Sequence, residues 1–244
     1  MLTIQHLTKH YKGSSKGVTD LSLTVRPGDI YAFIGHNGAG KTTTLKCIAV
    51  IHGFDEGEIF INGFNIKKDP LGCKRSIAYI PDNPDLYEYL TGVQYLNFIA
   101  DVFQVEAAKR KERIKKYADA FEITPSLGDL ISTYSHGMKQ KLAIISALVH
   151  APKLLVLDEP FVGLDPQASV LLKNIMHEVC SEGGAIFFST HVLDVAEKLC
   201  SKVAIIKDGV LVTSGDMEKI VRPGQTLESI FLEVIGNGNK AVTD

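Results

Sequence analysis

The sequence predicts an α/β fold built on a mostly parallel sheet, and three observations support this class. Short apolar runs typical of buried strands, such as residues 30–34 and 154–157, alternate with longer segments of helical spacing. Residues 2–30 instead alternate apolar and polar side chains, which predicts an antiparallel β subdomain at the N-terminus. Residues 91–149 contain helical patterns and no clear strand pattern, which predicts an α-helical subdomain inserted into the core.

The first half of the chain contains the strands and the loop that begin this fold. A turn at 26–29 leads from the N-terminal strands into the apolar strand 30–34. A glycine-rich loop then opens a helix at 41–52, in which apolar residues recur at helical spacing. Residues 58–66 form a strand pair that bends at an Asn-Gly dipeptide, which hairpin turns favour. A buried strand, a loop and a helix in this order are typical of a parallel α/β unit.

The second half returns to alternating strands and helices. Asp165 is placed as the N-cap of a helix with Pro166 at its first position, and a Gly-Gly pair ends that helix. The other predicted elements are two apolar strands (154–157 and 185–188), a strand hairpin (202–215), a short helix (227–234) and a tail (236–244). Alternating elements of this kind predict a sheet that is covered on both faces.

Size and composition fit one globular unit. The chain has 244 residues, of which 45% are apolar and 22% are charged, so it can bury a sizeable core. We predict one domain, residues 1–225, in which two core segments (1–82 and 152–225) enclose the helical subdomain (83–151). A short C-terminal helix and tail follow at 226–244.

Charge, cysteines and hydropathy argue against several function classes. The formal net charge of −2 lacks the basic excess of a nucleic-acid-binding domain, and Glu106 and Glu112 interrupt the basic cluster at 109–111. We therefore expect no nucleic-acid partner. The four cysteines form no Cys-x-x-Cys pair, which indicates reduced thiols in a cytosolic protein. No window approaches the ~20 apolar residues of a membrane span, so we expect any link to a membrane to run through another chain.

One glycine-rich segment matches the phosphate-binding pattern G-x-x-x-x-G-K-[ST], known as Walker A, completely. In such a loop the backbone N–H groups point at a phosphate, the lysine (Lys41) neutralises phosphate oxygens and the hydroxyl (Thr42) contacts magnesium. Kinases, GTPases, helicases and transport ATPases share this motif, so it predicts a bound nucleotide without selecting a class. The predicted phosphate-binding residues are Gly35, His36, Asn37, Gly38, Ala39, Gly40, Lys41, Thr42 and Thr43.

Two adjacent carboxylates end the apolar strand at 154–157. Because the carboxyl ends of parallel strands meet at one edge of a sheet, we expect Asp158 and Glu159 to lie beside the phosphate loop. Asp158 can hold a magnesium-bound water, and Glu159 can orient and deprotonate the water that attacks the phosphate. His191 directly follows another apolar strand at the same edge, and this position favours a functional role.

A further helix opens with the segment Tyr134-Ser135-His136-Gly137-Met138-Lys139-Gln140, in which Ser135 is placed as the N-cap. The segment resembles the signature motif of the ABC (ATP-binding cassette) family, Leu-Ser-Gly-Gly-Gln. As in that family, it lies between the Walker A loop and the strand that ends in Asp158 and Glu159, which resembles the Walker B segment. Tyr11 resembles the aromatic that stacks on adenine, residues 163–165 resemble the D-loop, and His191 resembles the switch histidine. The resemblance covers essentially the whole chain. The variant residues within the motifs are similar to those in the cassettes of bacterial exporters whose membrane subunit is a separate polypeptide.

This resemblance implies a RecA-like P-loop NTPase fold, with ATP and magnesium bound. The implied roles are catalytic for Glu159 and His191, magnesium-binding for Thr42, Asp82 and Asp158, and nucleotide-binding for Tyr11, Ser135, Gly137 and Asp165 besides the loop. A second cassette, identical or related, is expected to place its signature serine and glycine on the γ-phosphate. A transmembrane permease subunit, docked beside residues 86–91, is expected to hold the chain peripherally at the cytoplasmic face of the cell membrane.

The sequence departs from the family pattern at three positions. His136 and Met138 replace the first glycine and the glutamine of the signature, which leaves Ser135 and Gly137 as donors to a γ-phosphate. Asp82 stands where the family has a glutamine, with a shorter side chain that is charged at neutral pH. We expect Asp82 near magnesium and the attacking water, with contact through a water molecule. The alternative is that Asp82 only caps the turn it begins.

Two other classes share the phosphate loop. A soluble regulatory ABC ATPase that acts on ribosomes or DNA usually has two cassettes in one chain or a long heptad insertion, and neither occurs in this sequence. A GTPase switch or a small-molecule kinase lacks support because the sequence has no Asn-Lys-x-Asp guanine motif. We therefore expect an ATPase that powers export. The cargo stays open, because cargo contacts are expected in the membrane subunit.

Overall fold

Ten strands form two sheets in the computed structural model, which describes residues 1–13 and 16–236. The strands are β1 (Leu2–His10), β2 (Gly17–Val25), β3 (Ile30–Ile34), β4 (Glu56–Ile61), β5 (Phe64–Asn65), β6 (Ile77–Ile80), β7 (Leu154–Asp158), β8 (Ala185–Thr190), β9 (Lys202–Lys207) and β10 (Val210–Asp216). The helices are α1 (Lys41–Ile48), α2 (Pro70–Ser76), α3 (Gly92–Val102), α4 (Ala107–Ala120), α5 (His136–Val149), α6 (Pro166–Ser181), α7 (Leu193–Leu199), α8 (Met217–Ile220) and α9 (Leu227–Gly236).

The first sheet is antiparallel, with the strand order β2-β1-β4-β5. Leu2 at the start of β1 pairs with Val25 of β2 on one side and with Ile61 of β4 on the other. From Leu21 to Val25 the side chains alternate between buried and exposed, as expected for a sheet with one covered face. The predicted N-terminal antiparallel β subdomain is therefore confirmed.

The second sheet has the order β10-β9-β3-β8-β7-β6 and is parallel except for β10. β3, β7 and β8 are buried along their whole length, which explains their continuous apolar sequences. The register pairs Ile34 with Thr190, and Asp158 with Ser189. The carboxyl ends of these three strands therefore meet at one edge of the sheet, and the predicted α/β fold class is confirmed.

The helical subdomain lies between β6 and β7 and contains α3, α4 and α5. Thr91 and Gln94 form a capping box at the start of α3, in which the Thr91 N–H donates to Gln94 Oε1 (2.9 Å) and the Gln94 N–H donates to Thr91 Oγ1 (3.3 Å). Ser135 caps α5, because its hydroxyl oxygen accepts the Met138 N–H at 3.3 Å. These side chains satisfy backbone donors that the helix itself leaves unpaired.

Apolar side chains cover both faces of the parallel sheet. One face packs against the helical subdomain, α6 and α7, with Ile34, Leu157 and Phe188 among its fully buried members. The other face packs against α1 and the antiparallel sheet, and Phe33 and Phe187 lie there with ring centroids 5.4 Å apart. Each large side chain buried in this way contributes about 1.5–3 kcal/mol to folding. The core therefore holds the strand ends, and the loops that follow them, in fixed positions.

The sequence patterns do not predict α2, β6 or α7, which are all short. Asp69 caps α2, because its Oδ1 atom accepts the Gly72 N–H at 2.8 Å, and Pro70 is the first residue of the helix. The capping residues are visible in the sequence, but the helix is too short for its apolar residues to show a helical repeat. The helix predicted at 41–52 ends at Ile48, and Val50 just beyond it has a left-handed backbone with φ of 58°. Of the tail predicted at 236–244, residues 237–244 lie outside the described part of the chain.

No helix within residues 1–13 and 16–236 is long and apolar enough to cross a bilayer.

Candidate active site

The glycine-rich loop lies between β3 and α1, at the edge where the parallel strands end. Gly40 has φ of 108°, and a Cβ atom there would lie 2.9 Å from the carbonyl oxygen of Gly17. Only glycine fits this conformation and this close approach. The turn between β9 and β10 is hydrogen-bonded to the loop, because the Gly209 N–H donates to the Ala39 carbonyl at 3.0 Å. The loop is therefore fixed by backbone contacts with two other strand ends.

Lys41 is buried inside this loop, with 7% of its surface exposed. Its ammonium group donates to the carbonyl oxygens of Gly35 (2.6 Å) and His36 (3.4 Å). Burial lowers the pKa of Lys41, while the negative charges of Glu159 and Asp158 act in the opposite direction. A buried cation of this kind gains most from an anion that binds within the loop.

Asp158 is almost fully buried and accepts hydrogen bonds on both carboxylate oxygens. The Thr42 hydroxyl donates to its Oδ2 at 2.8 Å, and the Ser189 hydroxyl donates to its Oδ1. These two bonds compensate the cost of burying a carboxylate. They also fix the carboxylate against the first turn of α1, which is where the sequence predicts it.

Glu159 has a left-handed backbone with φ of 49°, which is uncommon for a residue with a Cβ atom. Its N–H donates to the carbonyl and to the hydroxyl of Ser189, both at 3.2 Å, so the parallel register holds this conformation. Its carboxylate Oε2 lies 2.9 Å from His191 Nδ1 and accepts the His191 N–H at 3.3 Å. A carboxylate held by an imidazole beside a phosphate loop has the geometry of a general base with its orienting partner.

Asp82 follows β6 and faces the same region as Asp158 and Glu159. Partial burial raises the pKa of the Asp82 carboxyl, and repulsion from Asp158 and Glu159 raises it further, against the opposing effect of His136 and His191. Three carboxylates in one region favour a bound cation. Asp82 therefore lines the cleft together with Asp158 and Glu159.

A cleft of about 330 Å³ brings most of the predicted residues together. Tyr11 lies at its mouth, where its hydroxyl is 3.3 Å from Thr43 Oγ1 and its ring meets the His52 ring edge to face, with centroids 6.2 Å apart. Its ring is partly exposed, so a flat base can stack on it. The residues lining the cleft are Tyr11, Lys16, Gly17, His36, Asn37, Gly38, Gly40, Lys41, Thr42, Thr43, Asp82, Asp158 and Glu159.

The signature segment lies elsewhere, because neither Ser135 nor Gly137 lines this cleft. The His136 ring packs on Gly163, where a Cβ atom would come within 2.5 Å of that ring, and a Cβ atom on Gly137 would lie 2.9 Å from the Gly163 carbonyl oxygen. Asp165 also lies outside the cleft, since it caps α6 by accepting the Ala168 N–H at 2.8 Å. The D-loop and the signature therefore pack against each other within one chain.

Sequence reasoning missed three residues at the site. Lys16 and Gly17 line the cleft beside the phosphate loop, and Ser189 hydrogen-bonds both Asp158 and Glu159. Ser189 lies at the end of the apolar strand that precedes His191, so its position at the sheet edge can be read from the sequence. Its hydrogen-bond partners cannot, because they depend on the register between β7 and β8. No motif in the sequence points to Lys16.

The class of protein follows from this geometry. A lysine and a threonine that follow the glycine-rich loop face two carboxylates at the end of β7, which is separated from β3 by β8 in the same parallel sheet. P-loop nucleoside triphosphatases have this arrangement.

Comparison with known proteins narrows this class. The ABC transporter family profile matches residues 18–162, which is more than half of the chain. The ABC-type transporter ATP-binding protein EcsA of Bacillus subtilis (strain 168) is 32% identical over 238 residues, which cover 96% of this chain and 96% of EcsA. The chain belongs to the ABC transporter family, as an ATP-binding cassette ATPase.

Two solved structures have the same fold. A structure described as the ATP binding subunit of an ABC transporter has a TM-score of 0.92 and 33% identity, and the match covers 96% of this chain and 99% of that one. The dimeric post-hydrolysis structure of the ATP-binding cassette MJ0796, bound to ADP and Pi, has a TM-score of 0.80 and 21% identity, with 89% and 99% coverage.

Proposed function

We propose that this chain is the ATP-hydrolysing subunit of a membrane exporter and acts with a separate permease chain. The observation that supports ATP hydrolysis most directly is the Glu159–His191 pair beside Lys41 and Asp158. The transporter role is supported by family membership and by the name of the full-length relative EcsA. Export, rather than import, is supported by the resemblance of the motif variants to bacterial export cassettes.

Hydrolysis needs a base, an oriented water and charge compensation. In the proposed step the water oxygen attacks the γ-phosphorus while the bond to the β,γ-bridging oxygen breaks, and Glu159 accepts the proton of the water. His191 keeps the Glu159 carboxylate in place through the 2.9 Å contact. Lys41 and the backbone N–H groups of the loop compensate the charge of the phosphate oxygens. The products are ADP and phosphate.

Oxygen ligands fit magnesium at this site. Thr42 Oγ1 and Asp158 Oδ2 lie 2.8 Å apart at the start of α1. We propose that Asp82, which lines the same cleft, contacts a metal-bound water. Magnesium is usually held by one or two carboxylates together with substrate phosphates and waters. When bound, it would compensate charge on the β- and γ-phosphate oxygens.

Two copies complete each site in the proposed mechanism. The signature residues Ser135 and Gly137 lie outside the cleft of their own chain and at the N-terminus of α5, which can bind an anion. We infer that they bind the γ-phosphate of ATP held by a second copy or a related cassette. The MJ0796 structure, which is described as dimeric, supports the pairing of two copies. Loss of the γ-phosphate would weaken the contact between the copies.

The permease is proposed to dock on exposed aromatic side chains beside residues 86–91. Tyr87, Tyr89 and Phe98 form this aromatic patch, in which the Tyr87 ring centroid lies 5.9 Å from that of Tyr89 and 5.5 Å from that of Phe98. Tyr89 is 76% exposed. Contiguous exposed aromatics are typical of protein interfaces, and this patch follows directly after Asp82 and the strand β6. Binding there places the chain at the cytoplasmic face of the membrane.

Co-purification tests the permease proposal. The full chain is expressed together with a candidate permease, a multi-span membrane protein, extracted in mild detergent and isolated through a tag on the membrane protein. The variant Tyr89→Ser with Phe98→Ser is expected to lose most of the association, while Leu71→Ser, at an exposed apolar residue outside the patch, keeps it. Absence of any complex with the unchanged chain would contradict the proposal and favour the soluble regulatory ATPase.

A further inference from the structure

The C-terminal helix α9 contributes one side chain to the active-site region. Phe231 lines a cavity of about 450 Å³ that it shares with Glu159 and His191. Leu193 and Val162 add further apolar surface to the same cavity. None of the nucleotide-binding motifs includes Phe231, and its partly buried ring packs on the core that also contacts Leu193.

The start of α9 is tied to the segment that contains His191. The Leu227 N–H donates to the Glu197 carboxylate at 2.7 Å, and Leu227 itself is fully buried. Glu197 belongs to α7, which begins two residues after His191. A capping box between Thr226 and Ser229, with two hydrogen bonds of 3.1 Å, stabilises this end of the helix. Hydrogen bonds to a carboxylate are among the stronger ones in proteins, so the two helices are firmly connected.

The other end of α9 is tied to the strand that supports the phosphate loop. The Lys207 ammonium donates to the Ile235 carbonyl at 2.6 Å, which satisfies a carbonyl in the last turn of the helix. Lys207 is the last residue of β9 and precedes the turn whose Gly209 N–H donates to Ala39 in the loop. α9 therefore spans from the His191 segment to the support of the phosphate loop.

His191 has little packing of its own. Its side chain is 59% exposed, and its Nδ1 atom lies 2.9 Å from the Glu159 carboxylate. An exposed side chain that follows a strand takes its position from the elements on either side, here β8 and α7. Since Phe231 of α9 and Leu193 of α7 line the same cavity, loss of the Phe231 ring would change the packing beside the backbone that presents His191.

We propose that α9 is a positioning element for the hydrolytic step, and that Phe231 is the positioning residue that sets the His191 segment relative to Glu159. This inference rests on the roles proposed above for Glu159 and His191. Phe231 shares its cavity with Glu159, His191 and the first residues of the phosphate loop (35–37). Tyr11, Lys41 and Thr42 line the other cleft and do not line this cavity. The helix therefore affects the chemical step and leaves ATP affinity nearly unchanged.

Steady-state ATPase measurements on the full chain test this proposal. We expect Phe231→Ala to lower kcat about tenfold and to leave the KM for ATP within about twofold, because misplacement of a catalytic group affects the transition state most. Phe231→Leu, which refills most of the volume, is expected to recover most of kcat. Two control variants lie on the same helix: Val234→Ala removes a partly buried side chain that does not line the cavity, and Leu232→Ala changes an exposed one.

The controls separate positioning from general destabilisation. The proposal requires Val234→Ala and Leu232→Ala to keep kcat within about twofold of the unchanged chain, while thermal unfolding reports how much stability each variant loses. An unchanged kcat in Phe231→Ala would overturn it, and so would equal losses of kcat in Phe231→Ala and Val234→Ala. Full turnover in Glu159→Gln would instead contradict the proposed roles at the site, so the two failures can be told apart.

Discussion

The N-termini of α1 and α5 both present backbone N–H groups to which a phosphate can bind, but their surroundings differ. The α1 end has the buried Lys41 and lies across a cleft from Asp158 and Glu159. The α5 end has Ser135, whose hydroxyl already accepts a backbone N–H, and Gly137, and it packs on the D-loop rather than on a carboxylate pair. The first end has the charges for both binding and chemistry, whereas Ser135 and Gly137 at the second end offer neutral donors.

This difference explains why one copy of the chain is an incomplete enzyme in the proposed mechanism. The α1 end can bind a triphosphate and supply the base, but it leaves one side of the γ-phosphate uncovered. The α5 end can cover a γ-phosphate but has no base to attack it. A symmetric pair of copies gives each ATP one end of each kind, because the same two patches meet twice across a two-fold axis.

The largest effect is expected from the base of the α1 end. We predict that Glu159→Gln lowers the ATPase rate by a factor of about 100 or more, because the amide cannot accept the proton of the attacking water. ATP binding is expected to persist, since Lys41 and the loop are unchanged. Rate measurements and calorimetric ATP titration check both parts of this prediction.

Glu159→Gln also tests whether the two helix ends meet across a dimer. ATP that is bound but not hydrolysed is expected to keep two copies together, so size-exclusion runs with ATP should show a dimer for Glu159→Gln and mainly monomer for the unchanged chain. A variant that keeps full turnover would move the base to another residue, with His191 the next candidate.

The sequence predicts the phosphate-binding residues at the α1 end better than it predicts the side chains that surround them. Its loop residues are contiguous in a motif, and Asp158 follows a strand that the apolar pattern reveals. Ser189 was not predictable as its partner, because the two residues are 31 positions apart and meet only through the register of β7 and β8. Phe231 was not predictable as part of the site for the same reason, since tertiary packing alone brings α9 to the cavity.

A smaller effect is expected from the base-stacking side chain at the mouth of the cleft. We predict that Tyr11→Ala raises the KM for ATP several-fold and leaves kcat within about twofold, because stacking stabilises the ground state and the transition state equally. Tyr11→Phe serves as the control, since it keeps the ring and removes only the hydroxyl near Thr43. A stacked ring does not select one base by hydrogen bonding, so GTP should also be hydrolysed. Strict rejection of GTP would show that other groups recognise the edge of the base.

The smallest effect is expected at Asp82, where the site departs from the family pattern. The pKa of its carboxyl is raised, mainly by burial and then by Asp158 and Glu159, so the folded state binds its proton more tightly than the unfolded chain. Its contribution to stability is therefore present below the unfolded pKa of about 3.9 and is lost as pH rises through the folded pKa. We predict that Asp82→Asn gains thermal stability relative to the unchanged chain as pH rises from acid to neutral.

Magnesium titration separates the two proposed roles of Asp82. We predict that Asp82→Gln needs a higher magnesium concentration to reach its full ATPase rate, because the site loses one of the negative charges that attract the cation. If Asp82→Gln and Asp82→Ala both keep the magnesium dependence and the rate and lose only thermal stability, Asp82 is a turn-capping residue and its place at the metal is wrong.

The central claim, that the α1 end of one copy works with the α5 end of another, can be tested by mixing two inactive variants. Lys41→Ala disables the first end and Ser135→Ala weakens the second, so each variant alone should have little ATPase activity. A mixed dimer contains one site with both ends intact, and an equal mixture should recover up to about a quarter of the full rate if copies pair at random. No recovery, in a mixture whose mixed dimers are demonstrated by differently tagged chains, would contradict the composite site.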